Sequence, residues 1–200
     1  ASPSGRAVMG FDQVAPLASE FAELSPAVEV AITPFVVVDE ALIDRTIARA
    51  RNAPNRRARV LLHPGQEDSL HEMLIALPLE SCDVPHINFK SGKSFHIVRG
   101  EMAVMLFADD GSEVLPCRLG ASPTDSRRMV RLNQPCWHTI IPLTDYVVFI
   151  ETIIGPFTGN QFAEWSPNPD TSEWEGFVTS LRDVAASGIP TRPFLGGAHA

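Results

Sequence analysis

The sequence predicts an all-β domain, either a β-sandwich or a closed β-barrel. From Arg57 onward, short apolar runs are separated by turn residues at fairly regular spacing, which is typical of these folds. Asp109-Asp110-Gly111 lies between two of the runs and is a hairpin-turn signal. The chain has 200 residues, of which 44% are hydrophobic, enough to fill one core of ordinary size.

The predicted strands are short and carry the β-branched and apolar residues that favour a pleated, half-buried surface. They cover residues 59–63, 70–77, 84–88, 94–98, 101–107, 113–119, 129–132, 137–141 and 146–154. Since so many short strands follow one another, they favour a sheet that closes on itself or packs against a second sheet.

Before the strands, residues 1–27 carry scattered Ser, Pro and Gly and predict an arm or loop. Residues 28–38 form a β-branched run interrupted by Pro34, which suits an edge strand or a broken strand. Asp39 is placed to cap a helix that ends near Pro54. Its apolar residues, at helical spacing, are Leu42, Ile43, Ile47 and Ala50.

The C-terminal part differs from the strand-rich middle. Ser172 and Glu175 predict a capping box at the start of a second helix. One face of that helix carries an apolar stripe of Trp174, Phe177, Leu181 and Val184. We therefore divide the chain into an N-terminal arm with an edge strand (1–38), a barrel with its leading helix (39–167), and a helix and tail packed on the barrel (168–200).

Charge and composition narrow the possible partners. The net charge of −8 argues against nucleic acid and disfavours anionic membrane surfaces. No run approaches the roughly 20 apolar residues of a membrane span, and the start lacks a signal-peptide layout. Three cysteines without paired spacing predict reduced thiols. We expect a soluble, cytoplasmic protein with no nucleic-acid or membrane partner.

The candidate site begins at His86 and Asn88, followed by Lys93 and, some 40 residues later, by His138. Residues two apart on a strand face the same side, so His86 and Asn88 are expected to point together into the barrel. A distant His on a later strand completes the pattern by which a small barrel builds a metal or substrate site.

Several stretches resemble the WbuC-type cupin-fold proteins. They are residues 57–64, 72–77, the site segment around His86, 93–100, 137–143, Glu151 with 155–157, and 162–167. The resemblance implies a cupin double-stranded β-helix barrel, usually described as metal-binding and often found in cell-surface polysaccharide or small-molecule biosynthesis. It also implies a homodimer, because cupins commonly pair through their N-terminal strands.

The metal-binding cupin pattern has two His, a Glu and a later His. Here the corresponding positions hold His86, Asn88, Lys93 and His138. An ammonium does not ligate a cation. Two possibilities stay open: a site that works without metal, or a divalent ion (Fe, Zn, Mn or Ni) held by His86, His138 and Asn88.

The remaining candidates each have two interpretations. Lys93 either binds negative charge inside the barrel or points to solvent at the strand start. Arg57 and Arg59 share a strand face and either bind a carboxylate or phosphate or form internal salt bridges. Cys136 either pairs with the nearby His138 or is a small buried hydrophobe. Glu151 is suited to orienting a His or Arg.

We therefore expect a cupin-fold enzyme that acts on a small polar or anionic metabolite, such as a sugar derivative or biosynthetic intermediate. The reaction would be isomerisation, cyclisation or elimination by acid–base chemistry. His86 and His138 would serve as acid and base, while Lys93 and Asn88 stabilise negative charge and Arg57, Arg59 and Cys136 contact substrate. The alternatives are a metal-dependent oxygenase or Lewis-acid isomerase, and a non-enzymatic binding module.

Overall fold

The computed structural model describes residues 19–90, 92–123 and 127–188. These residues form twelve strands and two helices. In chain order they are β1 Phe21–Ser25, β2 Val28–Ala31, α1 Glu40–Asn52, β3 Ala58–Leu61, β4 Leu70–Pro78, β5 His86–Ile87, β6 Lys93–Arg99, β7 Glu101–Phe107, β8 Val114–Gly120, β9 Met129–Leu132, β10 Trp137–Pro142, β11 Tyr146–Ile154, β12 Gln161–Phe162 and α2 Ser172–Ser187. Neither helix is long and apolar enough to cross a membrane.

The strands form two facing sheets. The first has the order β1-β2-β3-β4-β11-β6-β9, and the second has the order β12-β5-β10-β7-β8. Between β4 and β11 the chain passes repeatedly from one sheet to the other, and neighbouring strands within this part are antiparallel. This strand order is the eight-stranded jelly roll of cupins. The predicted cupin barrel is therefore confirmed.

Helix α1 covers the outer face of the first sheet. Asp39 caps it as predicted, because its Oδ1 accepts the N–H of Leu42 at 2.9 Å. The buried face of the helix packs on side chains such as Leu74, Ala76 and Val148. Since successive strand residues alternate, the intervening residues of β4 and β11 point the other way, into the barrel.

Helix α2 covers the outer face of the second sheet. Phe177, Leu181 and Val184 pack there in one buried cluster with β7 residues. The predicted capping box is wrong: Ser172 is already the first helical residue, and no side chain caps the helix from Thr171. The Thr171 hydroxyl instead donates to the carbonyl of Asn168 at 2.7 Å.

The expected N-terminal loop is partly wrong. Residues 1–18 lie outside the described residues, but 21–25 form β1, antiparallel to β2. Strand β2 pairs in parallel with β3, so β1 and β2 extend the first sheet beyond the barrel and β1 forms its edge. The expected edge strand is therefore wrong for β2, which lies between β1 and β3, whereas the expected break is confirmed because β2 ends at Ala31, before Pro34. The sequence signal for β1 was weak because none of its side chains is fully buried, and Leu24 is 61% accessible. Backbone pairing with β2 holds the hairpin, and Phe21 also packs against the cluster beneath α1.

The predicted hairpin turn after β7 is confirmed. Gly111 has φ 71°, and a Cβ at this position would lie 2.5 Å from the Trp165 ring. Both the left-handed backbone and the close approach of the indole therefore require glycine. The turn brings the β7–β8 hairpin against the segment that leads into α2.

Candidate functional site

A cavity of about 570 Å³ lies between the two sheets. Alternate residues of several strands line it, as period-two geometry requires. From β3 and its flanks these are Arg57, Arg59, Leu61 and His63; from β4, His71, Met73, Ile75 and Leu77; and from β11, Phe149, Glu151 and Ile153. The opposite wall includes His86, His138 and Ile140, and Lys93 comes from β6.

Lys93 points into the cavity wall and is only 6% exposed, so the solvent-facing alternative is wrong. Its ammonium donates to Glu151 Oε1 at 2.9 Å and to His138 Nε2 at 3.1 Å. Glu151, which the sequence placed as an orienting residue, is thus the counter-ion of Lys93. A buried ammonium needs such a partner, because an unpaired one would bear a large desolvation penalty.

The hydrogen bonds of His138 define its tautomer. Nδ1 lies 2.8 Å from the carbonyl oxygen of Cys136, which only accepts, so Nδ1 carries the proton. Nε2 then accepts from Lys93. Burial, the Lys93 charge and His86 together lower the pKa of His138 well below its ordinary value. His138 is therefore neutral, with both ring nitrogens engaged.

His86 offers a free lone pair to the cavity. Its Nδ1 donates to the carbonyl of Val84 at 3.1 Å, and within the described part of the chain its Nε2 has no hydrogen-bond partner. The His86 ring lies 4.5 Å, centroid to centroid, from the ring of His138. Burial and then the Lys93 charge lower the pKa of His86. Its imidazole is thus a neutral proton acceptor at neutral pH.

The two arginines differ in their ion-pair partners. Arg57 forms a bidentate pair with Asp83, with nitrogen–oxygen distances of 2.7 and 3.0 Å. Arg59 lines the same cavity, yet no described residue forms a hydrogen bond or ion pair with its guanidinium. Burial and then the Arg57 charge lower the pKa of Arg59, although an arginine stays protonated in any protein. Arg59 therefore faces the cavity without a hydrogen-bonded counter-ion among the described residues, while the carboxylates of Glu151 and Asp83 are near enough to favour its charge.

Asn88 and Cys136 do not face this cavity. The Asn88 amide donates to the carbonyl of Gly159 at 3.3 Å, and its oxygen accepts the N–H of Lys90 at 2.9 Å. Cys136 and Asn88 line a much smaller pocket behind Lys93, and burial raises the pKa of the Cys136 thiol. The expected pairing of His86 and Asn88 on one strand face fails because β5 ends at Ile87.

The donor set does not fit a divalent metal. Such an ion needs at least three firm protein donors. Here His138 Nε2 and Glu151 Oε1 both bind the Lys93 ammonium, and Asn88 points elsewhere. Across residues 19–90, 92–123 and 127–188, no three His, Cys, Asp or Glu side chains are arranged to hold a metal ion. The ammonium of Lys93 is itself the cation at the centre of this cluster.

Asp83, the partner of Arg57, is not among the residues that the sequence indicated. The sequence feature that could have indicated this pair is the opposite charge of the two residues: Asp83 is the acidic residue next to β5, and Arg57 precedes β3. These segments are distant in sequence and belong to different sheets, so only the folded topology shows that they meet. His63 and His71 also line the cavity, where their rings stack with centroids 4.1 Å apart.

Comparisons with known proteins add little about the reaction. Residues 38–119 match the model of a domain of unknown function, DUF6016, which covers less than half of the chain. No curated protein matches the sequence. The expected WbuC-type membership is not tested by these matches and stays a prediction.

Three solved structures illustrate the likeness in fold. An oxalate oxidase in complex with the substrate analogue glycolate is 16% identical, over 68% of this chain and 76% of that one, with a TM-score of 0.44. Oxalate decarboxylase from Bacillus subtilis is 13% identical over 49% and 24% of the chains, at 0.40. A cupin superfamily protein from Desulfitobacterium hafniense is 12% identical over 48% and 76%, at 0.36. At these values the fold assignment depends on the strand order, not on the matches.

The neutral histidines predict that acid destabilises the protein. A His whose pKa is lowered by folding takes up a proton on unfolding, so its contribution is complete above pH ~6.5 and is lost as the pH falls below it. Replacing His138 by Gln should therefore reduce the slope of unfolding free energy against pH by up to about 1.4 kcal/mol per pH unit between pH 6.5 and 5.5. Urea unfolding measures this, with exposed His96→Gln as the control. An unchanged slope in H138Q would contradict a neutral, buried His138.

The cluster also predicts poor binding of divalent metal. The wild-type protein should bind added Zn²⁺ at least about tenfold more weakly than Lys93→Ala, because the variant frees His138 Nε2 and Glu151 Oε1 for the ion. Isothermal titration with Zn²⁺ checks this, and Lys93→Met serves as a second variant that preserves side-chain volume. Tight, stoichiometric Zn²⁺ binding by the wild type would show that Lys93 does not hold the cation position.

Proposed function

We propose that this protein is a cupin-fold enzyme that transfers a proton on a small anionic metabolite. The guanidinium of Arg59 in the cavity wall carries the proposal, because a half-buried cation that pairs with no described residue favours an anionic ligand. Arginine binds a carboxylate or phosphate through two parallel hydrogen bonds, which fixes the orientation of the ligand as well as its position.

His86 is the proposed base. Its Nε2 lone pair faces the cavity without a partner among the described residues, and its lowered pKa keeps it neutral at physiological pH. A neutral imidazole can accept a proton from carbon. Because the lowered pKa makes the imidazolium a relatively strong acid, it returns that proton easily. Isomerisation, elimination and cyclisation next to a carboxylate or carbonyl can all begin with that step.

Lys93 is the proposed stabiliser of the charge that develops when the proton leaves. Two of its three N–H bonds are used by Glu151 and His138, and the third is left for a ligand oxygen. Such a preorganised donor lowers the energy of an enolate-like transition state. His138 then acts by holding Lys93 in place. This differs from the acid–base role that the sequence suggested for His138, since both of its nitrogens are occupied.

The proposal also covers the biological role, the oligomeric state and the location of the protein. The WbuC-type resemblance supports a role in small-molecule or cell-surface polysaccharide biosynthesis. We propose a homodimer because cupins commonly pair through their N-terminal strands. We propose a cytoplasmic location because the net charge is acidic and the three cysteines have no paired spacing.

Hydrogen exchange tests the proposal without a known substrate. A panel of 2-oxo, 2-hydroxy and unsaturated carboxylic acids is incubated with the protein in D2O, and ¹H NMR follows loss of carbon-bound protons. The wild type should exchange at least one acid that it binds, and His86→Gln should slow this exchange by about 10²-fold or more. Binding of that acid, measured by calorimetry, should change little.

His96→Gln is the matched control, because His96 is exposed on the outer face of β6 and should exchange like the wild type. Equal exchange in H86Q would remove His86 from the mechanism. If every acid that binds fails to exchange, the proposal is wrong and a non-enzymatic binding module is the better description.

A further inference from the structure

We infer that the ligand of this cavity is a monocarboxylate with an apolar aliphatic or aromatic body, and not a sugar or a dianion. The inference builds on the proposed binding of an anion by Arg59 and specifies the chemical class of that anion. It follows from the fixed charges of the cavity and from the nature of the walls around Arg59.

The fixed charges of the cavity favour a single negative charge. Among its described lining residues, Arg57 is paired with Asp83 and Lys93 with Glu151. These two pairs are neutral overall, and Arg59 alone lacks a partner. A monoanion neutralises that charge, whereas a second anionic group would lie beside the carboxylates of Asp83 or Glu151, where like charges repel.

The wall that continues from Arg59 across β4 and β11 is apolar. In the sheet register Arg59 pairs with Ile75, and Ile75 pairs with Phe149, so these two side chains continue the inner face beside the guanidinium. Leu61 pairs with Met73 one step further along the same face. None of these side chains has a hydrogen-bonding group that could replace the water around a ligand hydroxyl. A polyol bound here would leave its hydroxyls unsatisfied, while a hydrocarbon would bury apolar surface on both sides.

Phe157 and Phe162 also line the cavity, although they are 49% and 58% exposed, whereas polar side chains such as Gln66 and Asn160 line other parts of it. Exposed aromatic side chains in a pocket wall favour an apolar ligand, since burying them is itself favourable. The volume of about 570 Å³ is within the range of roughly 300–1,000 Å³ that accommodates a small organic ligand.

Titration calorimetry with simple acids tests the inference. The probes are propanoate, butanoate, hexanoate, octanoate and benzoate, compared with succinate, inorganic phosphate and glucose 6-phosphate. Affinity should rise about fourfold for each added methylene until the apolar wall is covered, the equivalent of about 0.8 kcal/mol per buried CH₂. Hexanoate should bind at least about tenfold more tightly than the three polar or dianionic probes.

Variants separate the charge from the apolar wall. Arg59→Gln should weaken hexanoate binding by about tenfold or more and leave neutral 1-hexanol unaffected, because a charge-assisted hydrogen bond is lost. R59Q removes an unpaired, half-buried charge and is expected to fold; circular dichroism confirms this, and Arg59→Lys is the second variant. Arg56→Gln is the control, since Arg56 is exposed and paired with Glu80.

Two results would overturn the inference: an affinity independent of chain length, or tighter binding of succinate or glucose 6-phosphate than of hexanoate. Equal hexanoate binding in R59Q would equally contradict it. These outcomes are distinct from failure of the proposed function. Proton exchange on a polar acid would preserve the function and refute the apolar ligand, whereas chain-length-dependent binding without exchange would do the reverse.

Discussion

The ammonium of Lys93 lies between the carboxylate of Glu151 and the imidazole of His138, and much of the site depends on this arrangement. The three residues come from β6, β11 and β10, which belong to both sheets. Closure of the barrel therefore brings them together and buries a charge that no single sheet would accommodate. Glu151 offsets the cost of that burial, since removing either member would leave an uncompensated ion in the core.

Burial and the charge of Lys93 together set the state of its neighbours. Burial, and after it the Lys93 charge, lowers the pKa of both histidines, so that His138 stays neutral with its Nε2 lone pair engaged by Lys93. The Lys93 ammonium also occupies donors that a divalent ion would need. The interior of this barrel thus carries the positive charge of Lys93 next to two neutral imidazoles.

The sequence predicted the features that depend on local patterns. The barrel, helix α1 with its Asp39 cap, the turn at Gly111 and the inward position of His86 and His138 follow from alternation, capping and turn chemistry. The errors have local causes as well. The side chain of Asn88 was predicted to face the barrel interior, but β5 is only two residues long and ends before it. The capping box was wrong because Ser172 is already the first residue of α2.

What the sequence could not resolve was pairing across the fold. The alternatives for Arg57 and Arg59 were equal in sequence, and they differ in the structure because Asp83 reaches one arginine and not the other. The same limit applied to Lys93, whose partners come from strands far along the chain. Ion pairing between distant strands is a property of the closed barrel, and residue patterns within one strand do not encode it.

The protonation of His138 is the most direct measure of this account. Long-range ¹H–¹⁵N NMR correlation at pH 7 distinguishes a neutral ring with its proton on Nδ1 from the other tautomer and from imidazolium. The structure predicts the neutral Nδ1–H form, and in Lys93→Met the pKa of His138 should rise because the neighbouring charge is gone. A doubly protonated His138 in the wild type at pH 7 would contradict the neutral form, because Nε2 could not then accept a hydrogen bond from the Lys93 ammonium.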